Sequence, residues 1–365
     1  MATTRRNFLM ESIVAGAGLG VYGASTAHAQ QGAQSTVPTS RAEALMALFG
    51  LQYPIFQAPH GNATGPELAA AISNAGAMGA LALSGRTPEA ARQWVEAVRG
   101  QTDRPFLVNY ILAFDPLSLG AALEAGAPIV QFSWGQPTPV QLAAVRKAGA
   151  KFGIQIGNVE SARAALDAGA HYLVCQGIEA GGHVQSSTPL LDLLPRVLDE
   201  ARTTPVLAAG GIGNGQKICV ALLAGAAGAV LGTRFVATQE SLAHPDYKNA
   251  IIRAEAKDAA FTVCFQDGWP GAMHRTLRNP TLTRWEGAGC PPVGRRPGEG
   301  DVVARRTDGS SVLRYYLASP DRGLQGTITD LALHAGQSVG DVKDLPPARE
   351  LVARLWAECL ATSRV

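Results

Sequence analysis

The sequence has little cysteine and little charge, and each shortage excludes a class of protein. Only five of its 365 residues are cysteines, and no two are spaced as Cys-x-x-Cys. This odd, scattered set predicts neither a disulfide framework nor a metal site. Charged residues make up 16% of the chain, the net charge is +2, and no long basic run occurs, which argues against nucleic acid as a partner. No apolar run is long enough to predict a membrane span.

The chain is rich in apolar residues and glycine. Hydrophobic residues make up 47% of it, and its 41 glycines recur at regular intervals instead of forming low-complexity tracts. This composition indicates a globular protein with a large core. The length allows one large α/β barrel or two ordinary domains.

The N-terminus has the pattern of an export signal. Arg5 and Arg6 form a twin-arginine pair, an Ala/Gly-rich run follows, and Ala27-His28-Ala29 is typical of a cleavage site. The pattern predicts a signal peptide over residues 1–29 and a partner in the twin-arginine export machinery, with the folded protein reaching the periplasm. If the signal is not used, the protein is cytoplasmic. Residues 30–52 are interpreted as a lead-in with no core element.

From Tyr53 onward one unit repeats: a short apolar strand, a loop, a helix of about a dozen residues, and an Ala-Gly-Ala stop. Eight such alternations predict a TIM (β/α)8 barrel over residues 53–243. An open doubly wound sheet is the alternative. The predicted strands are Ile55–Gln57, Met78–Ala82, Phe106–Asn109, Ile129–Phe132, Lys151–Ile156, Tyr172–Gln176, Val206–Ala209 and Ala229–Leu231.

Proline and glycine mark the ends of the predicted helices. Proline at the first helical position and glycine just after the last are the expected boundary residues. The predicted starts include Gly65-Pro66, Thr87-Pro88, Asp115-Pro116, Thr138-Pro139 and Thr188-Pro189.

The repeat stops after the eighth strand. Residues 244–325 mix helical stretches with Pro/Gly-rich loops and are interpreted as an inserted small lobe. Residues 326–365 are expected to pack back on the barrel, and apolar residues at helical spacing predict a helix from Pro347 to Ala361.

Glycines follow the sixth, seventh and eighth predicted strands, and a histidine also follows the sixth. A TIM barrel carries its active site at these C-terminal ends of the strands. The stretch from Gln176 to His183 contains adjacent glycines that let the backbone approach a ligand, and it ends in a group suited to proton transfer. The loops at Gly210 to Gly215 and at Gly232-Thr233 offer backbone N–H groups to a phosphate. The third glycine of the first loop comes too early for a dinucleotide fingerprint, so a single phosphate is expected.

These motifs resemble the nitronate monooxygenase family, formerly called 2-nitropropane dioxygenases. The resemblance rests on Gln176 to His183, on Ala208 to Ile212 and on Gly232 to Phe235, and it extends to Gln57-Ala58-Pro59 and Ala335 to Gly340. It implies an FMN-dependent oxidoreductase that uses O2 on nitronates or small nitroalkanes. By motif position, the residues expected to bind FMN are Ala58, Asn109, Gln176, Gly181, Gly211, Gly232, Thr233 and Gln337.

The resemblance makes His183 the catalytic base. A neutral nitroalkane has an acidic proton next to its nitro group, and a histidine can remove it to give the nitronate, from which a flavin accepts electrons. Three residues depart from the family pattern and are candidates for the substrate pocket. His60 stands where methionine is usual, Ser133 where many members have histidine, and His334 where an aromatic residue is common.

Two other functions remain open from the sequence. The first is an NAD(P)H-dependent FMN reductase of enoyl thioesters or quinones. The second is a non-redox barrel that binds a phosphorylated metabolite.

Overall fold

The computed structural model describes residues 39–363. The predicted signal peptide lies outside the described residues. The helices are α1 Ser40–Phe49, α2 Pro66–Asn74, α3 Pro88–Arg99, α4 Leu119–Glu124, α5 Pro139–Lys147, α6 Val159–Asp167, α7 Leu190–Ala201, α8 Gly215–Leu223, α9 Thr233–Val236, α10 Pro245–Arg253, α11 Pro280–Gly287 and α12 Ala348–Thr362. The strands are β1 Ile55–Gln57, β2 Gly79–Ala82, β3 Phe106–Ile111, β4 Ile129–Ser133, β5 Lys151–Ile156, β6 Tyr172–Gln176, β7 Gly182–His183, β8 Val206–Ala209, β9 Gly228–Leu231, β10 Ala259–Thr262, β11 His274–Leu277, β12 Val302–Arg305, β13 Ser311–Leu313 and β14 Gln325–Gly326.

Eight parallel strands form the predicted TIM barrel. Their order is β1-β9-β8-β6-β5-β4-β3-β2. Of the strands β1 to β9, only β7 lies outside the barrel. A parallel bridge between Phe56 and Met78 joins β1 to β2 and closes the ring. The closure confirms the barrel and excludes the open doubly wound sheet.

Local boundary signals explain most of the helices. The predicted Ala-Gly-Ala stops place glycine in the left-handed conformation after α2, α4, α5, α6 and α8, where a side chain would be strained. Proline opens α2, α3 and α5 as predicted. The predicted starts of α4 and α7 are wrong by one to three residues. The Asp115-Pro116 pair forms a turn before α4, and the Glu179 carboxylate binds the backbone N–H of Leu190 at the start of α7.

Helix α1 lies within the predicted lead-in and corrects the expectation that no core element precedes Tyr53. Leu45 and Phe49 are buried, and the ring of Phe49 packs edge-on against Tyr172 inside the barrel, with centroids 5.4 Å apart. An added Cβ at Gly228, where β9 begins, would come within 2.8 Å of Leu45 Cδ2, so α1 covers the N-terminal end of the barrel. A ten-residue, alanine-rich helix gives a weak sequence signal, because its burial depends on a barrel formed later in the chain.

The inserted lobe is joined to the barrel through a sheet. Strands β10 and β11 pair antiparallel, and β11 also pairs with β7, the short strand that carries His183. A second lobe sheet has the order β13-β12-β14. The C-terminal helix α12 packs back on the barrel as predicted, with the Glu358 carboxylate accepting a hydrogen bond from the backbone N–H of Gly215. None of the helices between residues 39 and 363 is long and apolar enough to cross a membrane.

Shortening the side chain of Leu45 in α1 should destabilise the protein. Leu45 is fully buried, so Leu45→Ala should lower the free energy of unfolding by about 2–5 kcal/mol through lost burial and a residual cavity. The matched control is Leu117→Ala. Leu117 is 74% exposed, and its truncation should change stability by no more than about 0.5 kcal/mol. Urea unfolding of the two variants makes the comparison, and equal effects would show that α1 is not part of the core.

Candidate active site

An open cavity lies at the carboxyl ends of the barrel strands. Almost all of the predicted site residues line it: Ala58, His60, Asn109, Ser133, Gln176, Gly181, His183, Gly211, Gly232, Thr233 and His334. The exception is Gln337, which is exposed and whose backbone N–H binds the Glu179 carbonyl, while its neighbour Ser338 lines the cavity. None of the lining residues is Asp, Glu, Lys or Arg. A ligand therefore meets dipoles and neutral imidazoles instead of fixed charges.

His183 lies on β7 at the rim of the cavity. Its backbone pairs with that of His274 on β11, so a lobe strand fixes the chain at this point. Its Nε2 atom is buried and has no hydrogen-bond partner among the described residues. Burial, followed by the nearby imidazoles of His334, His274 and His60, lowers its pKa to about 2. The imidazole is therefore neutral at physiological pH and presents a nitrogen with no other protein partner.

Three further histidines surround His183. The ring centroids of His274 and His334 lie 5.5 and 5.4 Å from its own. The ring of His60 lies 6.2 Å from that of His334. The hydroxyl of Tyr247 links them, because it donates to the His334 carbonyl and lies 3.4 Å from His60 Nε2. Desolvation by burial lowers the pKa of all three, to about 3 for His60 and His274, so the whole cluster is neutral at pH 7.

Hydrogen bonds fix the tautomers of two of these rings. His334 Nε2 lies 2.9 Å from the Leu317 carbonyl oxygen and must carry its proton there. The Nδ1 of His274 lies 3.0 Å from the Ala272 carbonyl, and its Nε2 accepts from the backbone N–H of Phe265. Both nitrogens of His274 are thus occupied by protein, and its role is to support the site.

A chain of buried polar side chains orients Asn109. The Tyr172 hydroxyl donates to Gln131 Oε1, and Gln131 Nε2 donates to Asn109 Oδ1 over 3.2 Å. The amide nitrogen of Asn109 is left to face Ser133 Oγ, at 3.5 Å, and the cavity. The network therefore presents a hydrogen-bond donor, not an acceptor, at the floor of the cavity.

Gln176 holds the backbone that carries His183. Its Oε1 accepts from the backbone N–H of Gln185, and its Nε2 lies 3.3 Å from the His183 carbonyl oxygen. Gln155 supports the same segment by donating to the Gln185 side chain. The second N–H of Gln176 has no protein partner among the described residues and is available to a ligand in the cavity.

The glycine loops form a concave surface with unpaired donors. The backbone N–H groups of Gly211, Gly232 and Thr233 make no hydrogen bond to another described residue. An added Cβ at Gly232 would meet only the Cβ of Ala58, at 3.5 Å, so a larger side chain there would enter the cavity. The hydroxyl of Thr233 accepts from the Gly336 N–H and fastens the C-terminal segment beside this surface. Such a cluster of free donors suits a phosphate group.

Two tryptophans lie beside His183, and one of them, Trp269, was not identified from the sequence. The indole of Trp269, in the lobe, stacks on the His183 ring with centroids 4.5 Å apart and planes at 25°. Trp134 lines the cavity and packs edge-on against Trp269 at 4.7 Å. Trp134 has φ of +59°, an unfavourable conformation for a bulky residue that is typical of functional sites. No motif marks Trp269, since its contact with His183 joins distant parts of the chain.

Comparison with known proteins gives consistent relatives. Residues 42–119 and 117–358 match the family described as nitronate monooxygenase. The chain is 30% identical to a nitronate monooxygenase of Paraburkholderia phytofirmans, over 86% of this chain and 94% of the relative. It is also 30% identical to an octahydro-indene-carboxyl-CoA dehydrogenase of Mycobacterium tuberculosis, over 87% and 95%. A structure of nitroalkane oxidase from Streptomyces ansochromogenes is similar, with a TM-score of 0.72 and 31% identity over 88% of this chain and 99% of that one.

The histidine cluster should make the protein less stable in acid. The four pKa values are lower in the folded chain than in the unfolded one, where histidine titrates near pH 6.5, so the unfolded chain binds more protons below that pH. The free energy of unfolding should therefore be highest above about pH 6.5 and fall as the pH is lowered toward 3, each histidine adding a slope of about 1.4 kcal/mol per pH unit.

The variant His60→Met tests this expectation by removing one of the four groups. Urea unfolding between about pH 7 and pH 5 should show a shallower decline for the variant than for the unmodified protein. Identical declines would mean that His60 does not titrate with a lowered pKa.

Proposed function

The chain belongs to the nitronate monooxygenase family, and from this premise we propose that it oxidises nitronates or small neutral nitroalkanes with O2, using FMN. The family comprises oxidoreductases, as the names of the relatives indicate. The observation that carries the proposal is the buried, unpaired Nε2 of His183, a residue at the rim of a cavity whose lining has free backbone N–H groups and no charged side chain.

The residues of the cavity fit FMN. Gly211, Gly232 and Thr233 would hold its phosphate through backbone N–H groups, with no basic side chain in the lining. The amide of Asn109 and the second N–H of Gln176 would donate to the ring system, and Ala58 and Gly181 leave room beside it. When bound, FMN would supply the electron acceptor that side chains lack, in an oxidation for which O2 is the final oxidant.

His183 would act as the base on neutral nitroalkanes. Its neutral imidazole can accept the proton next to the nitro group, which leaves an imidazolium and an anionic nitronate. Burial and three nearby imidazoles disfavour the cation in the free protein. The negative charge of the nitronate formed beside the imidazolium compensates for the cost of burying this cation. Substrates that are already nitronates need no such proton transfer.

The alternative of an NAD(P)H-dependent FMN reductase of enoyl thioesters or quinones is supported by the names of some relatives. A relative of similar identity is named as a dehydrogenase of a CoA thioester. The cavity lining has no Lys or Arg to meet the phosphates of CoA, which favours the smaller substrates. A non-redox barrel for a phosphorylated metabolite is the second alternative.

Two measurements separate the three functions. Flavin absorbance in the purified protein, or after reconstitution with FMN, excludes the non-redox barrel. O2 consumption with a nitronate in the absence of NAD(P)H favours the proposed reaction, whereas strict dependence on NAD(P)H favours the reductase. A colourless folded protein that cannot be reconstituted with FMN would overturn the proposal.

Replacing His183 should affect activity on the neutral nitroalkane more than activity on the nitronate. His183→Asn should retain FMN and activity on preformed nitronate, while activity on the neutral nitroalkane falls by about 10²-fold or more, because only the neutral form needs a base. The control is His171→Asn, just before β6 and outside the cavity lining, where Nδ1 accepts from the backbone N–H of Phe152; it should leave both activities unchanged. Equal losses on both substrates would remove His183 from the proton transfer.

The export of the protein also remains a proposal. The twin-arginine pair and the cleavage pattern support a periplasmic enzyme that folds around its cofactor before transport. Fractionation of cells that express the full chain and an Arg5→Lys, Arg6→Lys variant checks it, and cytoplasmic retention of the unmodified chain would overturn it.

A further inference from the structure

The inserted lobe reaches the proposed catalytic base in two ways. Strand β11 pairs with β7, so that His274 lies directly opposite His183. The loop between β10 and β11 carries Trp269, whose indole stacks on the His183 imidazole. The lobe therefore contacts both the backbone and the side chain of His183.

Trp269 touches His183 without reaching the cavity itself. His183 lines the cavity and Trp269 does not, so the indole covers a part of the imidazole that a ligand does not contact. On its other sides the indole packs against Trp134 at 4.7 Å and Phe114 at 5.0 Å. Two of these neighbours, His183 and Trp134, line the cavity, so Trp269 reaches the reaction only through them, and its stacked contact is with the imidazole.

The loop that carries Trp269 is anchored within the lobe. Asp267 forms an ion pair of 2.7 Å with Arg296, whose side chain is almost fully buried. Gly268 has φ of +106°, a backbone conformation that favours glycine and strains any other residue. The backbone N–H of Trp269 then binds the Gln266 carbonyl, which closes the turn that carries the indole.

We propose that Trp269 is a positioning residue for His183: its indole holds the imidazole at the edge of the cavity and shields it from water. The inference rests on the proposed function of His183 as a base. It gives the inserted lobe a part in the selection of neutral nitroalkanes, because only these need a fixed, unprotonated imidazole. Preformed nitronates bypass this requirement.

Three segments that pack around His183 each place a titratable side chain near it. They are His274 on β11, His334 from the segment after the lobe and His60 from the loop after β1, all with lowered pKa. Removing the indole admits water to His183 while these neighbours stay in place. Because desolvation is the first cause of its lowered pKa, the imidazole should then titrate closer to the ordinary value near 6.5.

The test compares Trp269→Leu and Trp269→Phe in the FMN-loaded protein, with nitroethane and its preformed nitronate as substrates. Trp269→Leu should lower kcat for nitroethane about 10-fold or more, through lost orientation, and change kcat for the nitronate little. Its kcat/KM for nitroethane should begin to fall at a higher pH than that of the unmodified protein, because the pKa of His183 moves toward its ordinary value. Trp269→Phe keeps an aromatic ring and should restore most of the activity.

A second readout does not depend on activity. The imidazole resonance of His183, assigned by its absence in His183→Asn, should shift its titration to higher pH in Trp269→Leu. The control is Trp94→Leu, since Trp94 lies on α3, is similarly half-buried and stacks only on Arg86. An unchanged titration together with an unchanged ratio of nitroethane to nitronate activity would overturn the inference. A shifted titration in a protein that oxidises neither substrate would support the positioning and refute the proposed function.

Discussion

The exclusion of charged side chains from the cavity is the constraint on which the site depends. Two nearby cations are bound elsewhere: Arg275 donates to the carbonyls of Ala259 and Ile178, and Arg234 pairs with Asp344 at 2.9 Å. No carboxylate is among the described residues that line the cavity, and desolvation by burial is the largest influence on the pKa values of the histidines, so they stay neutral. An anion in the cavity must therefore be held by backbone N–H groups, and a base must accept its proton without help from a fixed negative charge.

The barrel and the lobe each contribute residues to the site. The closed ring of parallel strands brings Asn109, Gln176 and the glycine loops to one edge, as barrel geometry requires. The lobe adds His274 and Trp269 around a histidine that the barrel loop alone would leave on a two-residue strand. A short strand is marginal unless a partner pairs with it, so the lobe is part of the site and not an appendage.

Local signals allowed much of the fold to be predicted from the sequence, and long-range contacts account for what was missed. The bounds of β1, β5, β6 and β8 agree with prediction, since apolar runs and glycine stops define them within a few residues. The candidate residues meet at one cavity, except Gln337, although their roles stay predictions. Helix α1 and Trp269 were missed because their burial is decided by partners far away in the chain, which no local pattern encodes.

Two of the three departures from the family pattern meet at one hydroxyl. His60 and His334 both contact Tyr247, one through a ring nitrogen and the other through its backbone carbonyl. The third, Ser133, lies across the cavity floor beside the Asn109 amide. The imidazole rings of His60 and His334 also lie 6.2 Å apart, and because of this side-chain contact a double-mutant cycle at the two positions should show coupling. The departures therefore divide into a coupled histidine pair on one wall and an independent serine beside the amide donor.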